Sequence, residues 1–407
     1  MSDLEEKDAK RNVPKLRFPG FTDPWEQRKL GEVFEERNEP GEENLPVLSV
    51  SIHRGVSGEE LDAGTLGKTV KRIEDKSCYK RVYRGDLVLN MMRAWQGAIG
   101  SASAKGMVSP AYIVAKPIAS IDSDFLDLRL RHDAIIVQID NLSYGVTDFR
   151  KRIYWSSLRK VNLVMPSLLE QCAIGAFFRD IDDLITLRQR ELEHTKELKR
   201  GLLQKMFPKE GSDVPEIRFP GFTDPWEQRK LGELYGKNNE RNTCGFGADC
   251  TLSAATMTFN KGGNGADESS LPNYKVVRVG DVAFEGHTNK EFAYGRFVVN
   301  AQADGIMSPR FSCLRPKHSY PVSFWKYYLH NERVMRSVLV RATKMGTMMN
   351  ELVFDDLFSQ TIPVPSESEQ RRIGAFLDSI DNLITLRQRE LDHVKLLKKA
   401  LLQQMFV

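Results

Sequence analysis

The chain contains few cysteines and no long apolar segment. Its 407 residues include five cysteines, an odd number whose positions do not match between the two halves of the chain. They lack the CxxC spacing of a structural zinc site and cannot all pair in a disulfide framework. No apolar run approaches the roughly 18 residues of a membrane span. We therefore expect reduced thiols and a cytoplasmic protein without a membrane segment. We also expect residues 1–17 to form a disordered leader.

The sequence also lacks the short motifs of common catalytic sites. Its seven histidines show no HExxH spacing, and there is no GxSxG nucleophile elbow. Neither the Asp/Asn-Pro-Pro-aromatic loop of amino-group DNA methyltransferases nor the spaced carboxylates and lysine of a nuclease occurs. We expect a chain with no catalytic residues, no metal site and no cofactor of its own.

The excess of positive charge is small. A net charge of +4 and a pI near 8.6 permit nucleic-acid binding without requiring it. Local patterning is more informative, because basic residues cluster around Lys68, Arg72 and Lys80 and again around Arg150 and Lys151. A solvated lysine-rich surface explains these clusters equally well.

The dominant positive feature is an internal repeat. Residues 17–32, RFPGFTDPWEQRKLGE, return unchanged as residues 218–233, and a second match pairs 166–207 with 365–406. Because the period is about 200 residues, the repeat is a duplication of whole domains and not a solenoid. Between the shared ends only a skeleton aligns, including Gly85-Asp86 with Gly280-Asp281, pairs that we expect to form turns and not a carboxylate site. One scaffold thus carries two different surfaces.

Each second match predicts a long helix. Ser167 and Ser366 each precede a glutamate by three residues, the spacing of a capping box, and apolar residues then recur at helical intervals. At 1.5 Å per residue such a helix is roughly 60 Å long, so we expect the two helices to cover each other as an antiparallel coiled coil. The alternative is that each helix packs only on its own domain. The predicted seam consists of Ile181, Leu184, Leu192, Leu198, Ile380, Leu383, Leu391 and Leu397.

The segments before the helices predict compact α+β domains. Short strands are predicted at 45–52, 87–91 and 107–114, and again at 275–284, 296–299 and 310–314, with a helix near 324–339. The fold class is therefore α+β, with two similar mixed α/β domains separated by two paired helices in a pseudo-two-fold arrangement. The predicted boundaries are 18–165 for domain 1, 166–207 for the central helix, 208–217 for a linker, 218–364 for domain 2 and 365–407 for the C-terminal helix.

Duplicated surfaces without catalytic chemistry favour recognition of a bipartite ligand. Double-stranded DNA fits, since two readers on a rigid spacer can address half-sites about 34 Å apart. Phosphate contacts would position each reader, and polar side chains on divergent loops would read base edges. The candidate DNA-binding residues are Lys68, Arg72, Lys80, Arg93, Gln96, Tyr144, Thr147, Arg150, Lys151, Lys261, Asn264, His287, Asn289, Lys290, Lys344, Thr347 and Asn350.

The order of these features resembles the specificity subunit of type I restriction-modification enzymes. FPGFTDPWEQRKLGE at both domain starts, the GD and SP skeleton, and the P-S-x-x-E-Q…LITLRQREL helices carry the resemblance over nearly the whole chain. It implies two target recognition domains that each read one part of a split DNA site, in a bacterial or archaeal host. It also implies that the helices dock two methyltransferase subunits, that restriction/translocase subunits join the complex, and that S-adenosylmethionine, ATP and Mg²⁺ bind to those partners.

Two other interpretations remain open from the residues alone. A non-catalytic coiled-coil scaffold would show no DNA preference. An autonomous DNA-modifying enzyme would be active in isolation, which the missing motifs argue against.

Overall fold

The structure, a computed structural model, describes residues 12–52, 55–61, 75–145, 151–260, 265, 267–347 and 349–407. The chain forms two compact units, and the boundary between them cuts each long helix in two. Unit 1 extends to Arg188 and takes in Glu390–Val407, whereas unit 2 is Gln189–Arg389.

The first half of the chain supplies short strands and short helices, followed by one long helix. The strands are β1 Glu26–Lys29, β2 Phe34–Arg37, β3 Val50–Ser51, β4 Gly55–Val56, β5 Lys80–Val82, β6 Leu87–Asn90, β7 Ile99–Ser101, β8 Gly106–Val108, β9 Tyr112–Pro117 and β10 Asn162–Met165. The helices are α1 Leu30–Val33, α2 Ser123–Leu130, α3 Asp133–Asn141, α4 Trp155–Leu158 and α5 Leu168–Lys205.

The second half repeats this order. Its strands are β11 Glu227–Lys230, β12 Tyr235–Lys237, β13 Lys275–Val277, β14 Val282–Glu285, β15 Arg296–Val299, β16 Gly305–Met307, β17 Ser312–Pro316, β18 Thr343–Lys344, β19 Glu351–Leu352 and β20 Thr361–Val364. Its helices are α6 Leu231–Leu234, α7 Val322–Tyr328, α8 Glu332–Ala342, α9 Phe354–Ser359 and α10 Glu367–Met405.

Each unit is built on a four-stranded antiparallel sheet. The strand order is β2-β9-β6-β7 in unit 1 and β12-β17-β14-β15 in unit 2. The central strands are fully buried at their starts, since Leu87 and Val282 have no exposed surface. In both units a separate two-stranded pairing joins the repeated segment to the strand before the long helix, β1 with β10 and β11 with β20. The predicted α+β class is therefore confirmed.

The repeated Gly-Asp pairs form turns, as the sequence predicts. Gly85 and Gly280 have φ of +89° and +93°, a conformation that glycine adopts without strain. The following carboxylates are buried and accept hydrogen bonds from the backbone N–H groups of Tyr83 and Arg278, at 2.8 and 2.9 Å. Burial raises the pKa of both Asp86 and Asp281. These hydrogen bonds close the two turns.

The starts of the long helices differ in detail from the predicted capping box. The serine half is present, because the amides of Glu170 and Glu369 donate to the hydroxyls of Ser167 and Ser366 at 3.4 Å. The carboxylates do not cap the backbone. Instead Glu170 accepts two hydrogen bonds from the guanidinium of Arg17, at 2.8 and 2.7 Å, and Arg218 holds Glu369 in the same way. The repeated segment is thereby fastened to the start of each helix.

The predicted antiparallel pairing of the long helices is confirmed within each unit. In unit 1, Lys398 of α10 contacts Asp182 of α5 at 2.5 Å. In unit 2, Lys199 of α5 contacts Asp381 of α10 at 2.6 Å. These two ion pairs join equivalent positions of the repeat, so both units use the same contact.

The composition of the predicted seam is partly wrong. Leu192 and Leu391 are only 2% exposed, Ile380 is buried, and Ile181 packs partly buried against the core of unit 1. Leu184, Leu198, Leu383 and Leu397 are 38–51% exposed. Because a helix has 3.6 residues per turn, these four leucines do not lie in line with the buried ones and are turned toward the exposed side of the helix.

Several predicted strands are shorter or divided. Only Val50–Ser51 is a strand within 45–52, and the predicted strands 107–114 and 275–284 are each broken by a turn. The predicted helix 324–339 is two helices, because the side chain of Asn331 accepts from the amide of Arg333 and starts a new one.

Candidate nucleic-acid interface

In unit 2, a turn at the end of β14 presents a histidine. The carboxylate of Glu285 is buried and accepts a hydrogen bond from the backbone N–H of His287 at 3.0 Å. The same oxygen lies 2.5 Å from Nδ1 of His287, and Arg296 lies 3.5 Å from the other oxygen. Because Nδ1 faces the carboxylate, Nε2 is the ring nitrogen left for another partner. Glu285 thus orients an exposed imidazole.

The two loops that the sequence singles out in unit 2 are in direct contact. The amide of Asn350 donates to the carbonyl of Gly286 at 2.9 Å. The backbones approach so closely that a Cβ atom at position 286 would lie 2.1 Å from the carbonyl oxygen of Asn350. Glycine is needed here because only a residue without a side chain allows this approach. The loop contact brings residues 286–290, 344–347 and 349–350 together.

Unit 1 uses the same turn with different side chains. Asn90, at the end of β6, accepts a hydrogen bond from the backbone N–H of Met92 at 2.9 Å, as Glu285 does from His287. The amide of Ile153 donates to the carbonyl of Met91 at 3.0 Å and ties the two loops together. Burial raises the pKa of Tyr112, which lies opposite Asn90 on β9. Met92 thus places an exposed thioether in unit 1 at the position where His287 places an imidazole in unit 2.

A cleft of about 440 Å³ opens beside the loop contact of unit 2. Its lining combines hydrogen-bond donors and acceptors with apolar side chains, which suits the edge of a nucleic-acid base. Its lining residues are Phe284, His287, Arg310, Ser312, Thr347, Met349, Asn350, Glu351 and Leu352.

Most candidate residues in the described part of the chain lie on or beside these loops. In unit 1, Arg93 precedes the 3₁₀ turn Ala94–Gln96, and both Arg93 and Gln96 are exposed. Tyr144 is 62% exposed and accepts a hydrogen bond from Ser157. Among the unit 2 candidates, His287, Asn289, Lys290, Lys344 and Thr347 are exposed, and Asn350 is half-buried.

Three candidates have contacts that weaken their assignment as DNA ligands. The side-chain oxygen of Asn289 accepts from the amides of Glu291 and Phe292, both at 2.8 Å, so it shapes its own loop. Lys151 pairs with Asp140 and lies over the ring of Trp95. Lys80 lies in β5, opposite Val108 of β8 and outside both loops. Lys68, Arg72, Thr147, Arg150, Lys261 and Asn264 lie outside the described residues.

The structure adds residues that the sequence reasoning missed. Arg310 lines the cleft, and Met345 is 92% exposed at the tip of its loop. Arg310 follows the Ser-Pro pair of the repeat skeleton, where unit 1 has Ala111. The two halves therefore differ directly after a shared motif, and this difference could have identified Arg310 from the sequence.

Neither a metal centre nor a membrane helix is found in the described residues. No group of three or more histidine, cysteine or acidic side chains is placed to hold a metal ion there. None of the helices in this part of the chain is both long and apolar enough to cross a membrane.

Comparison with known proteins confirms the resemblance drawn from the repeats. A family model described as "Type I restriction modification DNA specificity domain" matches residues 273–396. The type I restriction enzyme MjaVIII specificity subunit of Methanocaldococcus jannaschii is 24% identical, over 85% of this chain and 83% of that protein. The putative MjaX specificity subunit of the same organism is 22% identical, over 96% and 95%.

Solved structures support the same architecture. The crystal structure of the HsdS subunit from Thermoanaerobacter tengcongensis matches with a TM-score of 0.51 and 23% identity, over 96% of this chain and 98% of that one. A chain from a study of the assembly and conformational transition of the type I R-M system matches with a TM-score of 0.53 and 21% identity, over 96% and 99%. Residues 273–396 are therefore similar to a type I DNA specificity domain, and the chain has the fold of the solved specificity subunit.

Proposed function

We propose that this chain selects the DNA site for a type I restriction-modification complex, with each unit reading one half of a bipartite, gapped sequence. The other activities belong to partners in this proposal. Two methyltransferase subunits bring S-adenosylmethionine, and restriction/translocase subunits bring ATP and Mg²⁺.

The observation that carries the proposal is the shared turn with unlike side chains. Asn90 and Glu285 fix the same turn in the two units, but the residue that each turn presents is Met92 in one and His287 in the other. An exposed thioether can contact a thymine methyl group, whereas an imidazole makes hydrogen bonds to base edges. The two units therefore share a scaffold but present different side chains at the same turn. This arrangement is suited to reading two different half-sites.

The long helices are suited to docking the methyltransferase subunits. Residues 184–192 and 383–391 are identical, LITLRQREL, and each copy exposes two leucines. Leu184 and Leu187 are 38% and 52% exposed, and Leu383 and Leu386 are 40% and 53% exposed. Large apolar side chains exposed together favour a protein partner. Because both copies present the same residues, one kind of partner would bind twice.

The test is the methylation pattern of a reconstituted complex that contains the His287→Ala variant. We expect the recognised bases to change or relax only in the half-site read by unit 2, because the substitution removes one base contact of about 1–3 kcal/mol. Methylated positions mapped across a genome report both half-sites in one experiment.

Two further variants sharpen this test. Met92→Ala should alter only the other half-site, and His318→Ala, an exposed histidine of unit 2 outside both loops, should alter neither. Methylation of the unchanged sequence by the His287→Ala complex would refute the role of this loop. A salt titration of duplex binding should show affinity falling steeply, since phosphate contacts release counterions.

A further inference from the structure

The repeated segment 17–32 contains residues that the fold itself requires. Arg17 pairs with the buried Glu170, Phe18 packs edge-on against Phe177 at 5.4 Å, and Trp25 is 2% exposed. The second copy makes the same contacts through Arg218, Phe219 and Trp226. Stability therefore explains why these positions are identical in the two copies.

Other positions of the segment are exposed in both copies. We call them the repeat surface, which consists of Pro19, Thr22, Asp23, Pro24, Glu26, Gln27, Lys29 and Glu32 with their counterparts Pro220, Thr223, Asp224, Pro225, Glu227, Gln228, Lys230 and Glu233. Exposed substitutions change stability by only about 0.5 kcal/mol. Buried strands of the same units have meanwhile diverged, as LVLN in β6 and VAFE in β14 show. The requirements of folding do not explain why these exposed positions are identical in the two copies while buried strand residues differ.

Internal ion pairs do not account for the identity either. Arg28 pairs with Glu26 at 2.7 Å, and its counterpart Arg229 lies 3.6 Å from Glu227 and 3.0 Å from Glu233. These side chains are all exposed or nearly so, and the shorter contact is made with a different glutamate in each copy. Exposed pairs of this kind contribute about 0–1 kcal/mol. The identity is better explained by a molecule that contacts both copies.

The charge of the repeat surface favours a protein over DNA. Each copy combines three acidic residues with one lysine and the neighbouring arginine, so acidic groups are in excess. DNA phosphates bind surfaces with an excess of lysine and arginine. An identical surface also cannot distinguish two unlike half-sites. In unit 1 a cavity of about 310 Å³ joins this surface to the start of α5, where Leu168 is exposed.

We propose that the repeat surface is a second part of the docking site for the methyltransferase subunit, one copy of the partner per unit. This inference rests on the proposed function. It extends the contact from the exposed leucines of the helices to the polar segment at the start of each unit. The apolar side chains would form the centre of the interface, and the acidic and amide side chains of the repeat surface would form its rim.

The test reverses charges in one copy at a time. Asp23→Lys with Glu26→Lys changes unit 1, and Asp224→Lys with Glu227→Lys changes unit 2. The matched control is Glu43→Lys with Glu59→Lys, which makes the same change of charge at exposed positions of unit 1 outside the segment. Native mass spectrometry counts the methyltransferase subunits bound by the full chain, and thermal unfolding checks that each variant is folded.

We expect two bound subunits for the unchanged chain and for the control. Each paired variant should bind one subunit normally and the other at least about tenfold more weakly, because like charges now face each other across the interface. Thr22→Arg, which leaves the ion pairs intact, should have the same effect in unit 1. Two subunits bound with unchanged affinity by a variant that combines Asp23→Lys, Glu26→Lys, Asp224→Lys and Glu227→Lys would overturn the inference and leave the proposed function standing. No binding by the unchanged chain would refute the proposed docking and this inference together.

Discussion

At the residue scale, buried carboxylates organise both units, and each has a defined partner. Glu170 and Glu369 are held by arginines from the repeated segment, and Glu285 orients His287. Asp127 in α2 is partly buried and accepts a hydrogen bond from the amide of Ser101 at 2.5 Å. Burial raises the pKa of Asp127 to about 6, so the folded chain binds a proton that the unfolded chain releases at lower pH.

Asp127→Asn should therefore stabilise unit 1 above pH 6. As the pH rises from about 4 to 6, the unchanged chain loses stability because folding must bury the charged carboxylate, whereas the amide has no charge to bury. We expect the variant to be more stable by about 1–3 kcal/mol at pH 7.5 and little different at pH 4. Thermal unfolding at the two pH values measures the difference. An equal effect at both values would contradict this explanation.

At the scale of the element, the long helices carry two kinds of leucine. Leu192 and Leu391 are buried, whereas Leu184 and Leu383, eight residues earlier in each helix, are exposed. All four belong to the identical LITLRQREL segments. Buried positions hold the helix in its unit, and exposed positions are available to a partner.

The two kinds of leucine predict opposite results for the same substitution. Leu192→Asp should destabilise unit 2 by about 3–5 kcal/mol, because it places a charge in a packed interior. Leu184→Asp should change stability by less than about 1 kcal/mol but weaken methyltransferase binding. Thermal unfolding and the subunit count separate the two effects. A large loss of stability in Leu184→Asp would show that this side chain is needed for folding.

At the scale of the whole molecule, the last residues of each long helix contact the segment at the start of a repeated domain. In unit 2, Ile217 donates to the carbonyl of Lys205 at 3.0 Å, and Phe207 packs against Trp226. In unit 1, Leu16 donates to the carbonyl of Gln404 at 3.0 Å, and Phe406 packs against Trp25 and stacks on Phe125. The contacts are equivalent, but those of unit 1 join residues nearly the whole sequence apart.

Phe406→Ala should therefore destabilise unit 1 although the substitution lies almost 300 residues after α2. The loss of a buried ring costs about 3–5 kcal/mol. Hydrogen exchange should become faster in β6 and β9 and remain unchanged in β14 and β17. The matched variant Phe207→Ala should show the reverse pattern. Equal protection of both sheets in Phe406→Ala would show that the ring is dispensable for unit 1.

Residue patterns alone predict the duplication, the two long helices, the α+β class and the Gly-Asp turns. These features follow from local periodicity, from residues with special backbone freedom and from identity between the halves. Three features depend on packing and could not be predicted in this way: Glu170 bonds to Arg17, Gly286 contacts Asn350, and only some leucines of each helix are covered. Such contacts depend on how residues far apart in the chain pack together, and a helical period fixes a stripe without naming the surface that covers it.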